Sequence, residues 1–210
     1  MDAVRFQLFL AAALIIAAVP GPGIFYVSAR TLAGGRRAGL ASTAGTAIGG
    51  LVHVVAGSIG VSAIILASAE LFATLKFAGA LYLVWLGIRT FRDAGRMPQA
   101  PTDDAGAKRV VLEGIAVEAF NPKTAAFFLA FIPQFLDPAT PDPALAFMAL
   151  GLISVTLNTL ADIVVVMAAS ATRTRFVERP DLFRRLRQGS GIFIAGLGVS
   201  LALMRRPVAN

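Results

Sequence analysis

The sequence predicts an all-α membrane protein of six transmembrane helices, built as two inverted three-helix repeats with both termini outside. Three observations predict it. The 210 residues are 57% apolar and 15% charged, with a mean hydropathy of +0.75, where soluble domains run at roughly 45–50% and 25%. The apolar residues gather into six long runs, each near the ~20 residues that cross a hydrocarbon core. Basic residues concentrate in alternate connections between those runs. A soluble core in so short a chain cannot hide this much apolar surface, so lipid must cover it.

The first span is read as Phe6–Val27. It exceeds the roughly 7–15 residues of a signal-peptide core, only Arg5 precedes it, and further spans follow, so it is a retained helix. Pro20-Gly21-Pro22-Gly23 lies inside it. Each proline removes a backbone donor and obstructs the carbonyl four residues earlier, so the helix must kink or unwind here. Freed carbonyls within a membrane have to face protein or a wet cavity, the setting in which broken helices bind substrates.

A turn carrying Arg30, Arg36 and Arg37 leads to the second span, Leu40–Ala67. There Ala41, Gly45, Gly49, His53 and Gly57 recur every four residues, the pattern of a packing seam, either within the bundle or in a homodimer. His53 is the single histidine. Hydrogen bonding in the seam accounts for it, with proton relay as the marginal alternative. The third span is Leu71–Phe91. The stretch after it, with Arg96-Met97-Pro98-Gln99-Ala100-Pro101, reads as a linker and divides the chain into halves at 1–100 and 101–210.

The fourth span, Val110–Leu136, opens with Glu113 and Glu118. They read either as a cytoplasmic gate with nearby arginines or as anions at a helix start; the helix-start role suffices for Glu113, while Glu118 lies deeper and is a marginal site candidate. Asn121-Pro122-Lys123 follows. An ammonium facing lipid is expensive, so Lys123 either points inward, toward a protein acid or a substrate carboxylate, or snorkels at a cytoplasmic helix end. Pro122 fits the first position of a new helix capped by Asn121, which would aim amide donors at an anion.

The fifth span, Ala144–Ala171, carries Ser154, Asn158 and Asp162 at four-residue steps, hence on one face. An intramembrane aspartate suggests a proton carrier or a counter-ion to an amino group, against a structural ion pair with Lys123 or an arginine. The sixth span, Gly189–Met204, is short, about 24 Å of helix, and asks for local bilayer thinning or snorkelling by Arg187.

Basic residues fall between spans one and two, three and four, and five and six (Arg173, Arg175, Arg179, Arg184, Arg185, Arg187), which makes those connections cytoplasmic. Arg205 and Arg206 at the outer end are a minor exception. This asymmetry accounts for the formal charge of +7 without nucleic acid. Three spans per half is an odd number, so the halves enter the membrane in opposite senses, and a site is expected where they meet. The Pro20–Pro22 break, Lys123 and Asp162 lie at similar depths and are expected to converge in the inner half of the bundle.

Val19-Pro20-Gly21-Pro22, the turn Gly35-Arg36-Arg37-Ala38-Gly39-Leu40, and Asn121-Pro122-Lys123 with Phe127-Phe128-Leu129-Ala130-Phe131-Ile132-Pro133-Gln134-Phe135 resemble the LysE/RhtB family of amino-acid exporters over nearly the whole chain. The resemblance implies an inner-membrane exporter of lysine, threonine, homoserine, leucine or related amino acids, driven by protons or the membrane potential. It carries over Pro20, Gly21, Pro22, Asn121, Pro122 and Lys123 as motif positions.

The residues are consistent with that implication. A zwitterion needs an acceptor for its ammonium, which Asp162 and freed carbonyls supply, and a donor for its carboxylate, which Lys123 or Asn121 supplies. No phosphate-binding G-x-x-x-x-G-K-[ST] loop occurs, so a gradient has to supply the energy. A metal-ion exporter, the alternative, would want several acids, thiolates or imidazoles, and the chain has no cysteine and one histidine. An enzyme would need an acidic cluster or a nucleophile–base pair, and none of the usual motifs is present. No catalytic residue, resident metal or cofactor is expected.

Overall fold

The break predicted in the first span is where the chain first departs from a regular helix. The computed structural model describes residues 3–67, 69–95, 106–136, 141–171 and 180–203, and among them every regular element is helical. Helix α1 is Ala3–Ala18 and α2 is Pro22–Ala67, with three residues between them. The expected linker residues 96–105, Asp137, Arg173, Arg175, Arg179, Arg205 and Arg206 lie outside the described set.

Helix α2 does not stop at Val27. It runs on through the expected turn and bends at Gly35, whose φ of 72° and ψ of −168° suit glycine. The Thr31 side chain sits against Gly39 on the far side of the bend. Eight residues along a straight helix span about 12 Å, so the chain folds back here. Arg30, expected in the connection between spans one and two, lies within α2 and is buried, while Arg36 and Arg37 at the bend are exposed.

Helix α3 is Ala69–Arg92 and ends in a short 3-10 turn, Asp93–Gly95. The expected fourth span is two pieces. Helix α4, Ala107–Ala119, ends at Phe120, and α5, Pro122–Ala126, starts anew at 41° to it once its continuation to Phe135 is included. Asn121 adopts extended geometry and its side chain accepts from the Lys123 amide at 3.1 Å, with Pro122 in the first helical position. Beyond α5 the backbone widens into a π turn at Phe127–Phe131 and tightens into a 3-10 turn at Ile132–Phe135. Pro133 forces this irregularity because it has no N–H for an α-helical ladder. The Gln134 side-chain amide donates to the Ala130 carbonyl at 3.2 Å.

Helix α6 is Pro143–Ala171 and α7 is Pro180–Leu203. At 24 residues α7 is about 36 Å long, and the helix begins at Pro180, ahead of the charged residues Asp181, Arg184, Arg185 and Arg187.

Helix α2 packs on α4 and α6, α3 packs on α7, and α1 lies against α6. Small residues permit the closest approach. A Cβ on Gly45 would overlap the Val111 carbonyl, and one on Gly114 would stand 3.0 Å from the Gly45 Cα. The glycine stripe of α2 is therefore a seam within the bundle, with Gly45 and Gly49 against α4 and Gly57 against Phe147 of α6. Phe9, Phe127, Phe128, Phe131, Phe135 and Phe147 fill the core, with Phe9–Phe135 and Phe128–Phe147 meeting edge to face. The outside is apolar too: Leu8, Leu81, Val164, Ile192 and Leu203 are largely exposed, a surface that suits acyl chains. Two described helices are long and apolar enough to cross a membrane, three with the bent α4–α5 pair.

Candidate functional site

At the α1–α2 break, a helical N–H at position 20 would have bonded the Ile16 carbonyl, and proline has none. The Lys123 ammonium takes that place. Its Nζ donates to the Ile16 carbonyl at 3.1 Å and to the Val19 carbonyl at 2.9 Å. Positive charge is favoured at the carbonyl end of a helix, so α1 and Lys123 stabilise each other. Gly21 makes the approach possible, since a Cβ there would stand 3.0 Å from the Lys123 Cε. Lys123 is 5% exposed, which removes the snorkelling alternative.

Glu118 ties the second break together. Its Oε2 accepts from the Asn121 side-chain amide at 2.8 Å and its Oε1 from the Thr124 hydroxyl at 2.6 Å. Across the interface it lies against Gly23, where a Cβ would come within 2.5 Å of Oε2. The carboxylate thus sits beside the amide end of α2, the end that favours an anion. One residue of each sign bridges the two breaks. His53 Nε2 lies 2.9 Å from the Glu118 main-chain carbonyl, and its ring packs near Phe128.

Asp162 reaches the same place from α6 and is buried; its Oδ2 accepts from the Thr46 hydroxyl of α2 at 2.8 Å. Neither Asp162 nor Glu118 forms an ion pair with Lys123 among the described residues. All three line a cavity of about 20 Å³ with Gly23, Thr46, Asn121, Asn158 and Thr159, room for about one water molecule.

Of the residues singled out from sequence, Asn121, Lys123, Asn158, Asp162 and Glu118 meet at this cavity. Pro20, Gly21, Pro22 and Pro122 do not line it: Pro20 and Pro22 break the helix, Gly21 makes room for Lys123, and Pro122 starts α5. The two breaks touch directly, and residues flanking both of them line the cavity. His53 stands behind Glu118 outside the lining. Ser154 is buried but bonds back to the Leu150 carbonyl of its own helix. Gly23, read from sequence only as part of the helix break, lines the cavity, while Thr46 and Thr124 escaped the sequence reading because hydroxyls are common in membrane helices and carry no spacing signal.

A second polar cluster joins the same elements. Arg30 of α2 pairs with Glu113 of α4, Arg109 holds the other oxygen of Glu113 at 2.9 Å, and the Tyr26 hydroxyl donates to the Val110 carbonyl at 2.7 Å. Glu113 is therefore held across the chain rather than serving only its own helix start.

Helices broken at proline, joined through a buried lysine and a buried glutamate inside an apolar helical body, define a multi-pass protein of the inner membrane with an enclosed polar centre. The sequence model of LysE type translocators matches residues 14–205, and the chain belongs to that family. It is similar to a homoserine/homoserine lactone efflux protein of Salmonella typhimurium, 30% identical over 204 residues that cover 94% of this chain and 95% of the relative. It is also similar to a leucine efflux protein of Klebsiella pneumoniae, 31% identical over 150 residues, 69% of each chain. An uncharacterized membrane protein of Vibrio cholerae is 31% identical over 203 residues, covering 96% of this chain and 98% of its own. No solved structure matches the chain. The family and the relatives' names point to a transporter rather than an enzyme.

Proposed function

We propose that this translocator exports amino acids or closely related small metabolites from the cytoplasm in exchange for protons. The observation that carries the reading is the cavity wall: an ammonium donor, Lys123, and a carboxylate, Asp162, face one space between helices of the two halves. A zwitterion needs both. Its ammonium would dock on Asp162, and its carboxylate on Lys123 and the Asn158 amide. Each half opens with a proline-broken helix, and α2 packs on α6 as α3 packs on α7. That correspondence supports six spans in two inverted repeats, divided near residue 100, with both termini outside. The cavity holds about one water molecule, so loading an amino acid requires the surrounding helices to part.

The relatives named for homoserine and leucine efflux favour a small zwitterion over a metal ion. The test is efflux from cells loaded with single amino acids as dipeptides, comparing the wild-type chain with Lys123→Ala and Asp162→Asn at equal abundance. Release faster than from empty cells, lost in both variants, is the expected result. Release no faster than control for every amino acid tried would end the substrate assignment.

A further inference from the structure

The proposed exchange requires a group that binds a proton and an ammonium in turn, and the surroundings of Asp162 and Glu118 separate the two carboxylates by role. Both oxygens of Glu118 already take donors from Asn121 and Thr124. Asp162 takes one donor, on Oδ2, and its other oxygen has no donor among the described residues. With Lys123 as the one cation lining the cavity and two acids beside it, the formal charge is −1 when all three are ionised. A buried, unbalanced carboxylate demands either a proton or a bound cation.

The Thr46 hydroxyl shows how the site tolerates both. Its Oγ1 stands 2.8 Å from Asp162 Oδ2 and 3.0 Å from the Thr43 main-chain carbonyl. A hydroxyl has one proton and cannot donate to both, but its oxygen can also accept. With Asp162 ionised, Thr46 donates to the carboxylate. With Asp162 protonated, the acid O–H donates to Thr46 Oγ1 and the threonine proton turns to the Thr43 carbonyl. In either protonation state the Thr46–Asp162 bond is kept after one hydroxyl rotation, with no movement of a helix.

We propose that Thr46 is a positioning residue, a hydroxyl rotor that makes Asp162 the exchangeable proton site of the translocator. The step is balanced: the carboxylate takes up one proton when the substrate ammonium leaves and releases one proton when the next ammonium arrives. The charged and titratable groups facing Asp162 are Glu118 of α4 and Lys123 of α5, and neither bonds to it. This role rests on the exporter reading for its biological purpose but not for its test.

The test is infrared titration of the full-length protein in lipid, without substrate, following the carboxylic-acid band that Asp162→Asn abolishes. In Thr46→Val the ionised form loses its charge-assisted bond, the stronger of the two. The midpoint of the band is expected to move to higher pH by about one unit, a tenfold change in proton affinity. Thr46→Ser, which keeps the rotor, is expected to restore it, and this rescue separates a bonding role from a packing one. No Asp162 band between pH 4 and 10, or an unmoved midpoint in Thr46→Val, would overturn the proposal. The titration stands even if no exported amino acid is found, and efflux stands even if Asp162 does not titrate, so the two readings fail separately.

Discussion

The Lys123 ammonium bonds the Ile16 carbonyl that Pro20 leaves without a donor. A lysine 103 positions beyond Pro20 thus completes the backbone bonding of the first helix, and α1 and α5 depend on each other for it. Replacing Lys123 by methionine keeps the stem and removes the donor, leaving two buried carbonyls unpaired at about 1–3 kcal/mol each. The expected outcome is a lower melting temperature in detergent together with lost efflux. Arginine is not expected to rescue, because its planar head is wider than an ammonium and Gly21 already touches the lysine stem. Pro20→Ala restores an N–H at position 20, so in a double-mutant cycle it should recover part of the stability lost in Lys123→Met.

The approach of Glu118 to Gly23 predicts a steep steric effect. In Gly23→Ala the new methyl would press on the Glu118 carboxylate, whose oxygens are held by Asn121 and Thr124. Efflux should fall at least tenfold, with a destabilisation of about 1–3 kcal/mol. Gly196→Ala on α7, where an added Cβ meets nothing, is the matched control and should melt at or above the wild-type temperature.

The seam between α2 and α4 predicts the same kind of sensitivity without involving the cavity. Gly45→Val should disrupt assembly of the two halves, since even a Cβ there overlaps the Val111 carbonyl. Reduced abundance in membranes and a lowered melting temperature are the measurements, and an unaffected variant would contradict the packing described.

The ion pair between Arg30 and Glu113 joins α2 to α4 on the side that the proposed topology places toward the cytosol. Glu113→Gln should make the cavity easier to open from that side. The chain has no cysteine, so Asn158→Cys provides a single reporter. Its modification by a membrane-impermeant thiol reagent in inside-out vesicles should quicken several-fold when Glu113→Gln is added. An unchanged rate would mean that the pair does not gate access.

Reporter fusions at residue 210 should report an external terminus. A cytoplasmic signal there would reverse the orientation inferred from the arginines.

The amino-acid order by itself determined the helical class, the membrane setting and the position of the first break, and it offered the helix-start role of Asn121-Pro122 that the structure then selected. Each of these follows from local chemistry: hydropathy acts along a continuous run, and a proline removes its donor whatever surrounds it. The sequence also marked Lys123, Asn158 and Asp162, because charge and amide within an apolar run stand out by contrast. Tertiary structure alone decided the partners. That Lys123 bonds freed carbonyls rather than an acid, that Glu118 belongs to the cavity while Pro20 and Pro22 do not, and that Thr46 faces Asp162 all depend on how α2 lies against α4 and α6. The rotation of one helix against another is set by the fit of small residues such as Gly45 and Gly114 across a seam, and the four-residue spacing on one helix does not say which neighbour it will meet.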